Sequence, residues 1–198
     1  MGTLELRKRL NWQTVSGGKA LDQEVLFNDA FFKEFQNSET FILRPKPKEF
    51  EHIYEKVKLD KPVEKAVFSP GRTWHHGIKI DFAIENVNTS KKLYIEVKRQ
   101  DGWVEGKPPS AGRGNAHERS CKFFTPGLLK LLKDHSNLGK DVLPFWIVYA
   151  GDIARDPKRV REITFWFDGF PNHFFMWMYP DEKSLVEHFN TKLKHLLL

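Results

Sequence analysis

The stretch YIEVKRQ, residues 94–100, places a carboxylate and an amine two positions apart in a strongly β-prone run. Side chains two residues apart in a strand point to the same face, so Glu96 and Lys98 would lie roughly 7 Å from each other. A solvent-exposed ion pair on a half-buried strand is the ordinary explanation for such a pattern. A catalytic explanation requires a further charged group on the same face.

The preceding segment supplies such a group. Residues 77–87 alternate apolar and polar side chains, and the turn-prone run NTSKK, residues 88–92, follows them. A period of two predicts a half-buried strand, and two such runs joined by a short polar turn predict an antiparallel hairpin. If the turn centres on Asn88 and Thr89, Asp81 faces Glu96 with Cβ atoms about 5 Å apart.

Two carboxylates in opposed positions repel each other, so this pair needs positive charge nearby. Lys98 supplies one charge and a divalent cation would supply two more. Mg²⁺ binds oxygen ligands, commonly one or two carboxylates together with water and phosphate. Such an ion polarises a phosphoryl oxygen and activates a bound water, which a lysine can orient or deprotonate. Asp81, Glu96 and Lys98 therefore predict a site for phosphodiester hydrolysis.

The elements that must position these residues alternate between helical and extended patterns. Helices are predicted at 21–36, 48–59, 115–133 with a break at Pro126-Gly127, 156–162 and near the C-terminus, and strands at 40–43, 77–87, 93–97, 144–150, 163–168 and 173–179. On the first helix the predicted apolar stripe comprises Val25, Leu26, Phe31, Phe32 and Phe35. The order of elements predicts an α/β fold with a mixed β-sheet flanked by helices, in one domain over residues 1–198.

Composition narrows the class of protein. Of 198 residues, 40% are hydrophobic and 14% aromatic, which suffices for a sizeable core and excludes disorder. Apolar runs are too short for a membrane span and the N-terminus is charged, so we expect a soluble, intracellular protein. The single cysteine, Cys121, excludes an internal disulfide, and a reduced, partly buried thiol is expected. The net charge of +6 permits a nucleic-acid partner without requiring one.

A second group of residues with chemical potential lies in GRGNAHERSCK, residues 112–122. Glycines let a backbone approach DNA closely, and asparagine, arginine and alanine can read adenine, guanine and a thymine methyl in the major groove. The alternative is a glycine-rich surface loop that caps a helix, with an ion pair from Glu118 to Arg119 or Lys122. The basic run at 155–162 is equally consistent with phosphate contact and with a solvated face. For the aromatic residues at 174–179, core or dimer packing is favoured over base stacking.

The spacing D-x14-E-x-K matches the PD-(D/E)xK nucleases, and GNA-x-ERS resembles the recognition segment of EcoRI-like restriction endonucleases. Longer stretches resemble type II restriction endonucleases of the MunI family over most of the chain. These are DFAIEN, EVKRQDGWVEGKPPSAGRGNAHERSCKFFTPGLLK, LPFWIVYAGDIARDPKRVREITFW and HFNTKLK. Ile80 stands where PD-(D/E)xK nucleases often have proline, at a position that carries no chemistry.

This resemblance implies a role for each site residue. Asp81 and Glu96, with the Val97 carbonyl, would bind Mg²⁺, and Lys98 would position the attacking water. The residues expected to contact DNA are Arg113, Gly114, Asn115, Ala116, Glu118, Arg119 and Lys122. Arg113 would read the outer C·G pair. The AATT core would be read by Asn115, Ala116, Glu118 and Arg119.

The resemblance also implies the substrate and partners. We expect a homodimer that cuts double-stranded DNA at CAATTG and leaves 5′-AATT overhangs, in the bacterial cytoplasm, with no membrane association. A cognate DNA methyltransferase would act beside it in a restriction-modification system. The alternatives are a sequence-tolerant PD-(D/E)xK repair nuclease and a non-catalytic DNA-binding protein on the same scaffold.

Overall fold

The computed structural model describes residues 18, 21–67, 76–102, 104–106, 117–178 and 181–198. In this part of the chain a five-stranded sheet has the order β1-β2-β3-β4-β5. The strands are β1 (Phe41–Pro45), β2 (Phe82–Asn86), β3 (Lys92–Arg99), β4 (Phe145–Ala150) and β5 (Phe174–Trp177). Pairing is antiparallel from β1 to β3 and parallel from β3 to β5. The predicted mixed sheet is therefore confirmed.

Helices cover both faces of this sheet. The α-helices of the described residues are α1 (residues 21–35), α2 (Lys61–Ala66), α3 (Pro126–Ser136), α4 (Pro157–Trp166) and α5 (Glu182–His188), and α2 alone among them has no buried residue. The last helix continues through a π-helical turn at Phe189–Leu193 into a 3₁₀ turn at Lys194–Leu197. Further 3₁₀ segments lie at Lys48–Phe50, Ile53–Lys56, Glu118–Phe124, Gly151–Ala154 and Pro171–His173. Within the described ranges, none of the helices has the length and apolar character of a membrane span.

Two hydrophobic clusters lie on opposite sides of the sheet. On one side α1 and α5 pack together, and the rings of Phe31 and Phe189 meet edge-to-face with centroids 5.6 Å apart. On the other side α3 and α4 contribute Leu132 and Ile163 to a cluster with Tyr94 of β3. Because both faces are covered, β4 is buried at all six positions, as predicted for a central strand.

The strand predicted at 77–87 is shorter than expected and is buried on both faces. It begins at Phe82, and Ile78 and Ile80 pack in the cluster opposite the one that contains Phe82. The reason is a separate set of backbone bonds: Ile78 N donates to Phe50 O at 3.0 Å, so this segment follows the 3₁₀ turns and not β1. The apolar alternation therefore begins at Ile78, four residues before strand pairing starts at Phe82.

Two other predictions are wrong in part, and a third, the break at Pro126-Gly127, is confirmed. The helix predicted at 48–59 consists of two 3₁₀ turns, in which only Phe50 is buried, so no apolar face stabilises a longer helix. The strand predicted at 163–168 belongs largely to α4, because Ile163 and Phe167 are both buried at helical spacing. Pro126 does split the run predicted at 115–133, and α3 begins there.

The buried stripe of α1 also differs from the prediction. Its buried apolar residues are Phe27, Ala30, Phe31 and Phe35, whereas Val25 and Phe32 are 50% and 64% exposed. Residues 27, 31 and 35 are four positions apart and form one row along a helix. The predicted stripe mixed residues of this row with apolar residues of the solvent face.

Gly77 allows the segment before β2 to pass close to the first 3₁₀ turn. A Cβ at this position would lie 2.0 Å from Phe50 O and 2.5 Å from Glu51 O, both backbone atoms. We expect Gly77→Ala to lower the free energy of unfolding by at least about 2 kcal/mol, because backbone must move to relieve the overlap. Urea denaturation at constant protein concentration measures this loss.

Gly127→Ala is the matched control, because a Cβ at Gly127 meets nothing within 4 Å. Alanine there should leave stability unchanged or raise it by up to about 1 kcal/mol. Equal unfolding free energies for the two variants would contradict the close approach at Gly77.

Candidate active site

The hairpin β2–β3 has the predicted register. Phe82 pairs with Ile95 and Ala83 with Tyr94, so Asp81, one residue before β2, is in line with Glu96. The Asp81 side chain also contacts β3 directly, because its Oδ2 accepts a hydrogen bond from Val97 N at 2.9 Å. Asp81 is 8% exposed. The structure therefore brings this carboxylate to the strand that carries Glu96 and Lys98.

Glu96 is buried among cations. It is 4% exposed, and its Oε1 lies 2.5 Å from Lys98 Nζ and 3.7 Å from Lys122 Nζ. Its Oε2 is buried and has no hydrogen-bond partner among the described residues. Burial raises the pKa of the Glu96 carboxyl above its ordinary value, and nearby Asp81 adds to this rise while Lys98 opposes it. A solvent-exposed ion pair, the ordinary explanation for this motif, does not describe such a residue.

Lys122 reaches the site from the 3₁₀ helix Glu118–Phe124. This helix is fixed on the sheet because Phe123 is fully buried and Ser120 Oγ forms a hydrogen bond of 2.7 Å with Tyr149 OH of β4. Burial raises the pKa of the Tyr149 hydroxyl, which therefore stays protonated. The helix that follows the glycine-rich segment is in this way held directly over Glu96.

Two residues of the site were not predicted from the sequence. Lys46, which follows β1, contacts Asp81 Oδ1 at 3.0 Å and Glu24 Oε2 at 2.5 Å through its Nζ. Partial burial disfavours the charge on Lys46, but the hydrogen bond that Lys46 donates to Glu24 and the attraction of Asp81 outweigh it and raise the pKa of Lys46. Only a Pro-Lys-Pro run in the sequence marked the position, and it gave no indication of these partners.

Comparison with known proteins gives three results. The family model described as "Type II restriction enzyme MunI" matches residues 1–198. The type II restriction enzyme MunI from Mycoplasma sp is 51% identical over 203 aligned residues that cover 100% of both chains. The crystal structure of MunI restriction endonuclease in complex with cognate DNA superimposes with a TM-score of 0.79, at 49% identity, over 95% of this chain and 98% of that chain.

The chain belongs to the MunI family. It is therefore a site-specific endonuclease of the type II restriction class, as the resemblance of its motifs implied. Because the structural match spans both chains almost completely, the α/β fold with its mixed sheet is that of a MunI-family enzyme.

The segment predicted to read DNA is only partly described. Arg113, Gly114, Asn115 and Ala116 lie outside the described residues. Glu118 and Arg119 are exposed at the start of the 3₁₀ helix. Lys122, also predicted to bind DNA, lies beside Glu96 in the candidate active site of this MunI-family enzyme.

The carboxylates suit a divalent cation with oxygen ligands. Glu96 Oε2 is a buried carboxylate oxygen to which no residue in the described ranges donates, and burying such an atom is costly unless a cation or water binds it. Among the described residues there is no group of three or more His, Cys, Asp or Glu side chains arranged for a metal. Mg²⁺ needs no such group, since it commonly takes one or two carboxylates and completes its shell with water and phosphate.

Other charged or nucleophilic residues that the sequence singled out do not belong to the grouping of Asp81, Glu96 and Lys98. Glu85, on the same strand face as Asp81, is bound to Arg44 at 3.0 Å. Cys121 is a free, partly buried thiol, as expected, and burial raises its pKa, which disfavours the nucleophilic thiolate. In the basic run at 155–162, Arg159 pairs with Glu162 at 2.6 Å on the surface of α4.

Proposed function

We propose that this MunI-family enzyme hydrolyses double-stranded DNA at the palindrome CAATTG in a Mg²⁺-dependent reaction and leaves 5′-AATT overhangs. The observation that carries the proposal is the meeting of Asp81, Glu96 and Lys98. Asp81 bonds to the strand of Glu96, and Glu96 holds Lys98 while keeping its second oxygen free of protein donors. This grouping matches the metal-binding and water-positioning roles of the D-x14-E-x-K pattern.

Each residue of the grouping has a separate task. Asp81 and Glu96 would hold the ion, with the carbonyl of Val97, the neighbour of Glu96 on β3, as a further ligand. When bound, Mg²⁺ polarises a phosphoryl oxygen and lowers the pKa of a bound water. Lys98 is fixed at Glu96 Oε1, 2.5 Å away, so its ammonium is held where it can orient the attacking water for in-line displacement. The products carry 5′-phosphate and 3′-hydroxyl ends.

Lys122 supports the same reaction from the other side of Glu96. Its Nζ is 3.7 Å from Glu96 Oε1 and its side chain is 39% exposed, so the ammonium can contact both the carboxylate and a DNA phosphate. Because the 3₁₀ helix that carries Lys122 comes soon after the glycine-rich segment, this one short helix would connect base reading with the cleavage site.

Base recognition is assigned to the segment that the resemblance identified. Asn115, Ala116, Glu118 and Arg119 would read the AATT core, and Arg113 the outer C·G pair through guanine O6 and N7. Two findings support DNA as the substrate. The solved MunI structure is a complex with its cognate DNA, and this chain carries a net charge of +6.

The palindromic site implies a homodimer, because a two-fold symmetric protein can cut both strands of a two-fold symmetric duplex. We assign the enzyme to the bacterial cytoplasm, as one domain over residues 1–198. A cognate DNA methyltransferase that modifies CAATTG would protect the host DNA.

Plasmid DNA incubated with and without Mg²⁺, followed by gel electrophoresis and end mapping, tests the proposal. Discrete fragments that end in 5′-AATT and appear only with Mg²⁺ are expected. A smear would indicate a sequence-tolerant repair nuclease, and intact DNA a non-catalytic DNA-binding protein. Discrete fragments that map to another sequence would retain the nuclease and refute CAATTG.

A further inference from the structure

Lys46 is held at Asp81 by its backbone as well as by its side chain. Its main-chain N–H donates to Asp81 O at 2.9 Å, and its Nζ donates to Asp81 Oδ1 at 3.0 Å. Lys46 has a φ of +47° and lies between Pro45 and Pro47, whose rings restrict the local backbone. The backbone of Lys46 is therefore fixed beside Asp81, and its ammonium starts within reach of the Asp81 carboxylate.

The Asp81 carboxylate has protein donors on both oxygens. Oδ2 accepts from Val97 N, within the sheet, and Oδ1 accepts from Lys46. The sheet bond cannot be released without disturbing the hairpin, whereas the Lys46 side chain is 52% exposed and can move. Oδ1 is therefore the oxygen at which an incoming cation meets a positive charge already in place.

We infer that Lys46 is a resident counter-ion that competes with the divalent cation for Asp81 and thereby limits the affinity of the active site for metal. The inference rests on the proposed metal site at Asp81 and Glu96. Lys46 acts through Asp81 as a positioning residue and has no direct role in bond cleavage.

Glu24 of α1 allows the Lys46 ammonium to leave Asp81 when a cation binds there. It lies 2.5 Å from Lys46 Nζ, so Lys46 keeps one carboxylate partner when it releases Asp81. Without Glu24, the ammonium would have only Asp81 and would compete more strongly. The ion pair between Glu24 and Lys46 thus determines how readily Asp81 becomes available to a divalent cation.

The size of the effect follows from Coulomb's law. A lysine charge about 5 Å from a divalent ion, in surroundings close to water, lowers the affinity for that ion about tenfold. The repulsion is screened by salt, so the effect is largest at low ionic strength.

The test measures Mn²⁺ binding to the full-length protein without DNA, by electron paramagnetic resonance of the free ion at low ionic strength. We expect Lys46→Met to bind Mn²⁺ about tenfold more tightly than the wild type, and Glu24→Gln to bind it severalfold more weakly. Methionine keeps the length of the side chain and imposes no new backbone restriction. Thermal unfolding without metal confirms that each variant is folded.

Lys92→Met is the matched control. Lys92 makes a similar ion pair, with Glu49 at 3.6 Å, but its place on β3 is four residues from Glu96, about 13 Å along the strand. This variant has the same change of net charge and should bind Mn²⁺ nearly as the wild type does. An equal gain in both lysine variants would indicate a general charge effect and overturn the inference.

Unchanged or weaker Mn²⁺ binding by Lys46→Met would also overturn it, since Lys46 would then only support the position of Asp81. A different result is expected if Asp81 and Glu96 do not form a metal site. In that case Asp81→Asn would bind Mn²⁺ with the same affinity as the wild type. The combined variant Lys46→Met/Glu24→Gln should retain the gain of Lys46→Met. Loss of that gain would show that Glu24 had become a metal ligand and would refute competition as the cause.

Discussion

Asp81→Ala is expected to reduce cleavage of a CAATTG duplex by at least about a thousandfold while leaving specific binding to that duplex intact. The reason is that the variant lacks a proposed metal ligand, and metal catalysis contributes several kcal/mol to such reactions. Binding is spared because the expected base-reading residues lie between 113 and 119. Gel digestion with Mg²⁺ measures cleavage, and a mobility shift with labelled duplex measures binding.

Glu85→Gln provides the comparison for this prediction. Glu85 is a carboxylate of the same strand, four residues from Asp81, and it is bound to Arg44 away from the site. Its variant should cleave at close to the wild-type rate. Full cleavage by Asp81→Ala would falsify the assignment of the active site.

The second large effect is expected in the core under α1. Phe27→Ala should lower the free energy of unfolding by about 3–5 kcal/mol, because Phe27 is fully buried and its removal leaves a cavity. Its ring centroid lies 4.7 Å from Phe31, 4.9 Å from Phe82 and 5.9 Å from Trp146. Denaturation in urea, extrapolated to water, gives the loss.

Phe32→Ala separates this cavity from a loss of helix stability. Phe32 lies on the same helix but is 64% exposed, so its truncation should change the unfolding free energy by about 0.5 kcal/mol or less. Both variants are measured at one protein concentration. A larger loss for Phe32→Ala than for Phe27→Ala would show that α1 is oriented differently.

The hairpin of the candidate active site could be predicted because its geometry depends on neighbours in sequence. A turn at Asn88-Thr89 fixes the pairing of every residue on β2 and β3, and the predicted opposition of Asp81 and Glu96 follows from that turn alone. The burial of β4 could likewise be predicted from a short stretch of sequence, because an uninterrupted apolar run is stable only when other elements cover both of its faces.

The remaining features depend on contacts that the sequence does not display. Ile163 and Phe167 resemble strand residues by type, yet packing in the cluster with Tyr94 makes them one face of α4. Lys46 meets Asp81 across 35 residues and Glu24 across 22, and no periodic pattern connects these positions. Charged partners that far apart become visible only when the helix and the strands are packed.

The contact between α1 and α5 has a consequence for how the enzyme forms during synthesis. Phe31 packs on Phe189, and Asn190 donates to Glu34 at 2.8 Å, so residues separated by more than 150 positions complete a single layer. In a chain still emerging from the ribosome, α1 can pack against the sheet through Phe27 and Trp146, but this layer stays incomplete until residues 182–197 have been made. The β2–β3 hairpin can form early, whereas the layer that includes Glu24 is completed only with those residues, which delays assembly of the complete candidate active site.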